Sequence, residues 1–235
     1  MIFEPGKPIN SWSPVMQAVW GKSLNVPLLR TWDYFSGSKP DVETGHMYAR
    51  DREMPLNTFE SRKCSLQKHI THSIWEDTPY ISFTSSWQTL ADIANNRKCK
   101  RGNQTITVID PTVRLEAGLP VVCFGDESKY YGVKNPYNSI SDEELSNHYV
   151  CLWRVEAEEI VGHLDWDELS RDPDWYRNVI IPKLVEFREH RQQRQLNAVN
   201  DHIDDLSVDI GALSLNGSTS DSSSSHDSSD SEDPR

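Results

Sequence analysis

Apolar positions recur along this chain with two different periods. From Thr58 to Trp75, Phe59, Leu66, Ile70 and Ile74 return at helical spacing with Cys64 near the same side, which predicts an amphipathic helix. "SWQTLADIANNR" predicts another, with Trp87, Leu90, Ala91 and Ala94 on one stripe. "SPVMQAVWGK" predicts a short one, with Val15, Ala18 and Val19 sharing a face and Gly21 as its stop. Between and after these lie short, β-rich runs that predict strands: "VPLLRTWDYF", interrupted by Arg30; "YISFT"; "QTITVIDPT", ended by Pro111; "LPVVCFG"; "HYVCLWRV"; and "EEIVGHLDW". Residues 36–56 and 125–140 show no period and read as long loops, the kind of segment that often carries function. Asp174 to about Leu196 predicts a long helix anchored by Trp175, Val179, Leu184 and Phe187, with a kink at Pro182.

This order is neither strict βαβ alternation nor all-β. It predicts an α+β fold in which helices from the N-terminal half pack on a largely antiparallel sheet built by the second half. The expected organisation is a single α+β domain over residues 1–172 (core about 26–165), a helical extension over 173–206, and a tail over 207–235. The tail is a Ser/Asp low-complexity run that cannot bury a core and is expected to be disordered.

Composition narrows the classes. The chain has 235 residues, 36% of them hydrophobic, enough for one core of ordinary size. The net charge is -12, part of it in the tail, and no Lys/Arg stripe interleaves with aromatics. The run Arg97 to Arg101, followed by Gly102-Asn103, reads as a polar loop after a helix, so nucleic acid is not an expected partner. Cys64, Cys99, Cys123 and Cys151 form no C-x-x-C pair, which fits a reducing compartment. The N-terminus lacks the basic and apolar regions of a signal peptide, and no apolar run is long enough to span a bilayer. The expectation is a soluble intracellular protein, cytoplasmic or nuclear, with no membrane partner.

Candidate chemistry gathers at strand ends: Arg30, then Tyr80, Ser82 and Thr84, then His148 and Tyr149. Each has an ordinary structural reading beside it. Arg30 could be an edge residue paired with Asp33. Ser85 or Ser86 could cap the helix that follows. Ser141 and Glu144 have capping-box spacing. His69, His72 and Glu76 share a helical face and could ligate a metal, although no fourth ligand is evident and surface histidines are the commoner case.

The succession "LLRTWD", "HSIWEDTPYISFTSS", "ITVID" and "HYVCLWRVEAEEIVG" resembles a family of uncharacterised fungal proteins and, through them, the ADP-ribosyltransferase-like fold. The resemblance spans roughly residues 26 to 165. It implies a split antiparallel sheet with NAD, or a related nucleotide, as ligand. It assigns Arg30 to a phosphate or ribose, which suits the bidentate fork of a guanidinium. Ser82, with Thr84 beside it, would brace the first strand or bond the nicotinamide-side ribose. Tyr80 or an aromatic of residues 125–140 would stack on nicotinamide, and Tyr149 would join the cofactor site. The family's catalytic position, a Glu that stabilises an oxocarbenium-like state, is taken by His148. An imidazole can bond a ribose hydroxyl but supplies no negative charge, so the resemblance implies a nucleotide site without its catalytic carboxylate. The alternative from another class is a non-catalytic interaction module, with the C-terminal helix and acidic tail as the parts that meet a protein partner.

Overall fold

Six β-rich segments pair edge to edge, antiparallel at every junction. They are β1 (Leu28–Trp32), β3 (Tyr80–Thr84), β4 (Thr105–Ile109), β5 (Val121–Cys123), β6 (His148–Leu152) and β8 (Ile160–Asp165). Their spatial order is β5-β6-β3-β1-β4-β8, and a two-stranded ribbon pairs β2 (Met47–Tyr48) with β7 (Arg154–Val155). The computed structural model describes residues 24–71, 76–137 and 141–215, with side chains through residue 200. The chain divides into two units, Met1–Phe187 and Arg188–Arg235, and the sheet belongs to the first. Among the described residues no helix is long and apolar enough to cross a membrane.

The antiparallel sheet and α+β class agree with the sequence reading, but the division of labour does not. Strands β1 and β3 come from the first half of the chain and lie at the centre of the sheet. Arg30 is therefore on an inner strand and is not an edge residue.

Strand alternation decides which side chains meet. Tyr80, Ser82 and Thr84 lie opposite Leu152, Val150 and His148. Tyr80, Val150 and Leu152 pack beneath helix α1 (Phe59–Ile70) through Leu66 and Ile70. On the other half of the sheet, Leu29, Ile106 and Val108 pack beneath helix α2 (Trp87–Arg101) through Leu90 and Ala94. The far face collects Leu28, Ile81, Phe83, Ile109 and Cys151 into a third cluster. Two helices thus cover one face of one sheet with separate cores.

Local chemistry explains the elements that periodicity missed. Asp110 caps helix α3 (Pro111–Glu116), accepting from the Thr112 N–H, with Pro111 in its first turn. Helix α4 (Phe124–Tyr131) replaces the first part of the loop expected at 125–140. It buries Phe124 and Tyr131 and stops at Gly132 in the left-handed conformation. Ser141 and Glu144 form the capping box of α5 (Asp142–Ser146). "HYVCLWRV" is two strands, because Trp153 adopts φ 56° and breaks the run. Its N–H bonds Pro79 O at 2.7 Å and its indole reaches Met54 O at 3.2 Å. A short helix α6 (Trp166–Leu169) and a π turn (Tyr176–Ile180) precede α7 (Ile181–Leu215), so the break expected at Pro182 falls just ahead of it. The helix candidate near residue 15 and the Ser/Asp tail lie outside the described residues.

A buried ion pair ties α3 to the far end of the sheet. Arg114 is fully buried, bonds both carboxylate oxygens of Glu159, and donates to the carbonyls of Pro120, Leu152 and Arg154. Burial pushes the Glu159 pKa up while Arg114 opposes the shift. Replacing Arg114 by Met strands the carboxylate and three carbonyls. Urea denaturation of Arg114→Met is expected to show a loss of about 3–5 kcal/mol, partly restored when Glu159→Gln is added.

A hydrogen-bond chain runs from Trp32 Nε1 to Thr107 Oγ1 at 2.7 Å, and from there to His163 Nδ1 at 2.8 Å. Thr107 accepts from the indole, and in the tautomer protonated at Nε2 it donates to His163 Nδ1. Burial lowers the His163 pKa. The folded state then holds this proton less tightly than the unfolded chain. The stabilisation is present above the unfolded value of about 6.5 and is lost as pH falls through the folded value. Thermal unfolding between pH 7 and pH 5 is expected to fall more steeply in the wild type than in His163→Gln.

Candidate functional site

Strands β1 and β3 share one registered pair, Leu29 with Thr84, whereas β1 and β4 share five. Beyond that pair the ladder stops. There Arg30 Nη1 donates to the Ser82 carbonyl at 3.0 Å, so a side chain bridges the two strands. Above this opening, between α1 and α2, lies a cleft of about 670 Å³. Arg30, Ser82, Thr84, Tyr80 and His148 all border it. Of the residues expected at a cofactor site, Tyr149 does not. It lies opposite Phe83 and Cys123 and packs with the far-face core, one residue out of phase with His148. Its placement follows from the two-residue period of a strand.

The cleft is cationic at one end. Arg30, Arg50, Arg97 and Arg101 border it. Burial first, and then the guanidiniums of Arg97 and Arg50, push the Arg30 pKa down to about 9. Arginine stays protonated at neutral pH, so the shift expresses a charge that its surroundings compensate poorly. Arg97 donates to Thr31 O at 2.9 Å and is also lowered, first by burial, with Asp33 opposing. The Asp33 carboxylate accepts hydrogen bonds at one oxygen only. One oxygen accepts from Phe35 N and Ser36 Oγ, and the other lies 3.7 Å from Arg101. The ordinary pairing of Arg30 with Asp33 is thus not the one observed. Buried Arg30 Nε has no hydrogen-bond partner. Gly37 borders the same end, and a Cβ there would meet the Arg50 side chain and displace it.

The other end holds histidines and hydroxyls. His69, from the last turn of α1, places Nε2 at 2.7 Å from Ser82 Oγ and Nδ1 at 2.9 Å from Thr78 Oγ1. His148 stacks on Phe124 with centroids 4.7 Å apart and lies 6.0 Å from the His69 ring. Tyr80 is a wall and not a stacking platform: its hydroxyl meets Ser65 Oγ at 2.8 Å, and burial holds its phenol well above the usual range. Thr84 Oγ1 accepts from Ser86 N, and Ser86 caps α2 through Thr89 N. Ser85 instead reaches Asn147.

His69 is the cleft residue that sequence reasoning left out of the candidate site, having weighed for it only a metal-ligand reading against a surface one. Both its nitrogens meet hydroxyls, Glu76 pairs with Lys68, and His72 lies outside the described residues. The usable signal was a histidine at a helix end followed by the hydroxyls of Thr78 and Ser82. Elsewhere among the described residues, His46, Glu156 and Glu158 come close enough to hold a cation, but His46 Nδ1 accepts from Ala157 N and Glu156 pairs with Arg154.

The cleft and its sheet fall within residues 27–169, which match a family described as a domain of unknown function (DUF7587). The chain belongs to that family. No curated protein and no solved structure matches it.

Proposed function

We propose that the cleft binds a phosphate-bearing nucleotide, NAD or a close relative, without cleaving it. The observation that carries this reading is the Arg30 guanidinium in the opening between β1 and β3, with a buried donor unused and two further guanidiniums nearby. A diphosphate offers the negative charge and the paired acceptor oxygens that guanidiniums recognise. The resemblance to the ADP-ribosyltransferase-like fold supports the same reading through the order of Arg30, the hydroxyl-bearing strand and the later strand. His148 occupies the position of the expected glutamate. The nearby carboxylate of Glu144 is committed to its capping box, accepting from Ser141 N at 2.7 Å and Ser141 Oγ at 3.0 Å. Of the other carboxylates bordering the cleft, Glu76 pairs with Lys68 and Asp92 lies on α2, so the position that the resemblance gives to glutamate holds no carboxylate to stabilise a sugar cation.

Calorimetry is expected to show binding of NAD and ADP-ribose and none of nicotinamide riboside, which lacks phosphates. Arg97→Ala should weaken ADP-ribose binding by about 10- to 100-fold, the loss of a charged hydrogen bond. Absence of heat with every nucleotide defeats the reading. Nicotinamide release should be undetectable in the wild type and appear in His148→Glu.

A second reading, a partner-binding module, rests on helix α7. Leu196 and Val199 are exposed at 59% and 57%. In the sequence Leu196, Val199, Ile203, Leu206, Ile210 and Leu213 alternate at spacings of three and four, the heptad seam of helix association. Asp201, Asp204 and Asp205 fall outside the seam and its flanks, while Asp209 lies on a flank beside Ile210. Sedimentation is expected to show a dimer that Leu196→Glu converts to monomer. A monomeric wild type excludes self-association as that role.

A further inference from the structure

We infer that Ser82 and His69 form a nucleophile and base pair for acyl transfer, acting on a carboxylic ester carried by an anionic molecule. The inference uses the same cleft but goes beyond nucleotide binding, because it requires no nucleotide.

The geometry has the parts such chemistry needs. Ser82 is half-buried and borders the cleft, so its hydroxyl is within reach of a ligand. His69 Nε2 at 2.7 Å is within proton-transfer distance of Ser82 Oγ. Thr78, a buried residue, accepts from His69 Nδ1 at 2.9 Å in the tautomer that leaves Nε2 as the base. It is a positioning residue, and a weaker one than the carboxylate of a conventional triad. Tyr80 and Phe124 flank the imidazole at 5.1 and 5.6 Å and hold its ring in place. Arg30 Nη1 donates to the carbonyl of Ser82 itself and so fixes the backbone that carries the nucleophile. Arg50 and Arg97 favour a substrate with a second negative group.

The step balances within the chain and water. Ser82 Oγ bonds to the ester carbonyl carbon as its proton passes to His69 Nε2. The carbon–oxygen bond to the alcohol breaks, and His69 returns the proton to the departing oxygen. Water then gives its proton to the same nitrogen and attacks the acyl-serine. The acyl bond to Ser82 breaks, Ser82 regains its proton, and the carboxylic acid leaves.

The test uses the full chain, a fluorophosphonate probe and peptide mass spectrometry. The expected result is an adduct on Ser82, absent in Ser82→Ala and formed at least 10-fold more slowly in His69→Gln, with both variants checked for folding by circular dichroism. The wild type should also hydrolyse p-nitrophenyl hemisuccinate at least 10-fold faster than p-nitrophenyl acetate, and Arg97→Ala should erase that preference. An unlabelled Ser82 in the wild type, or labelling indifferent to His69→Gln, overturns the proposal. Equal hydrolysis of the two esters overturns its anionic specificity.

Discussion

The contact between Arg30 and the Ser82 carbonyl is the hinge of this structure. An antiparallel ladder normally proceeds until a strand ends. Here β1 and β3 part after Leu29 and Thr84, in the middle of the sheet, and a guanidinium bridges them at 3.0 Å. Placing a cation in the middle of a sheet is costly. It is tolerated because the opening faces a cleft, where the charge can be met by something that enters.

The helices enforce the cleft. α1 and α2 seat on the same face through distinct apolar clusters, one centred on Leu66, Ile70 and Val150, the other on Leu90, Ala94 and Ile106. The cleft opens between them, beyond the pair of Leu29 and Thr84. On the far face a continuous core containing Leu28, Ile81, Ile109 and Cys151 holds the two halves of the sheet together. The buried pair of Arg114 and Glu159 fixes the turn region that links β5, β6 and β8. The opening is thus local, and the scaffold around it stays closed.

Much of this was readable from residues alone. β-branched runs marked β4 and β8, and the caps Ser86 and Ser141 stood where their spacing placed them. Arg30, Ser82 and His148 were singled out and share one cleft. What escaped was set by tertiary context. A tryptophan in the left-handed region interrupts "HYVCLWRV", and nothing in Trp153 itself announces it. Tyr149 follows His148 directly, and only the register with β3 shows which of the two faces the cleft. His69 lies thirteen positions from Ser82, and their bond depends on how α1 turns back over β3. The gathering of Arg50, Arg97 and Arg101 around Arg30 draws on a loop, a helix and a strand, a combination that no local pattern encodes.

One cleft therefore joins an arginine cluster to a serine held by a histidine. Both proposed activities follow from that juxtaposition, and both require the arginine end of the cleft to meet an anion. Nitrogen–proton correlation spectra of the arginine Nε–H groups, recorded while ADP-ribose is added, address this directly. The account predicts that the Arg30 Nε–H signal moves saturably, together with those of Arg50 and Arg97. An Arg30 signal that stays fixed while arginines outside the cleft respond would contradict it.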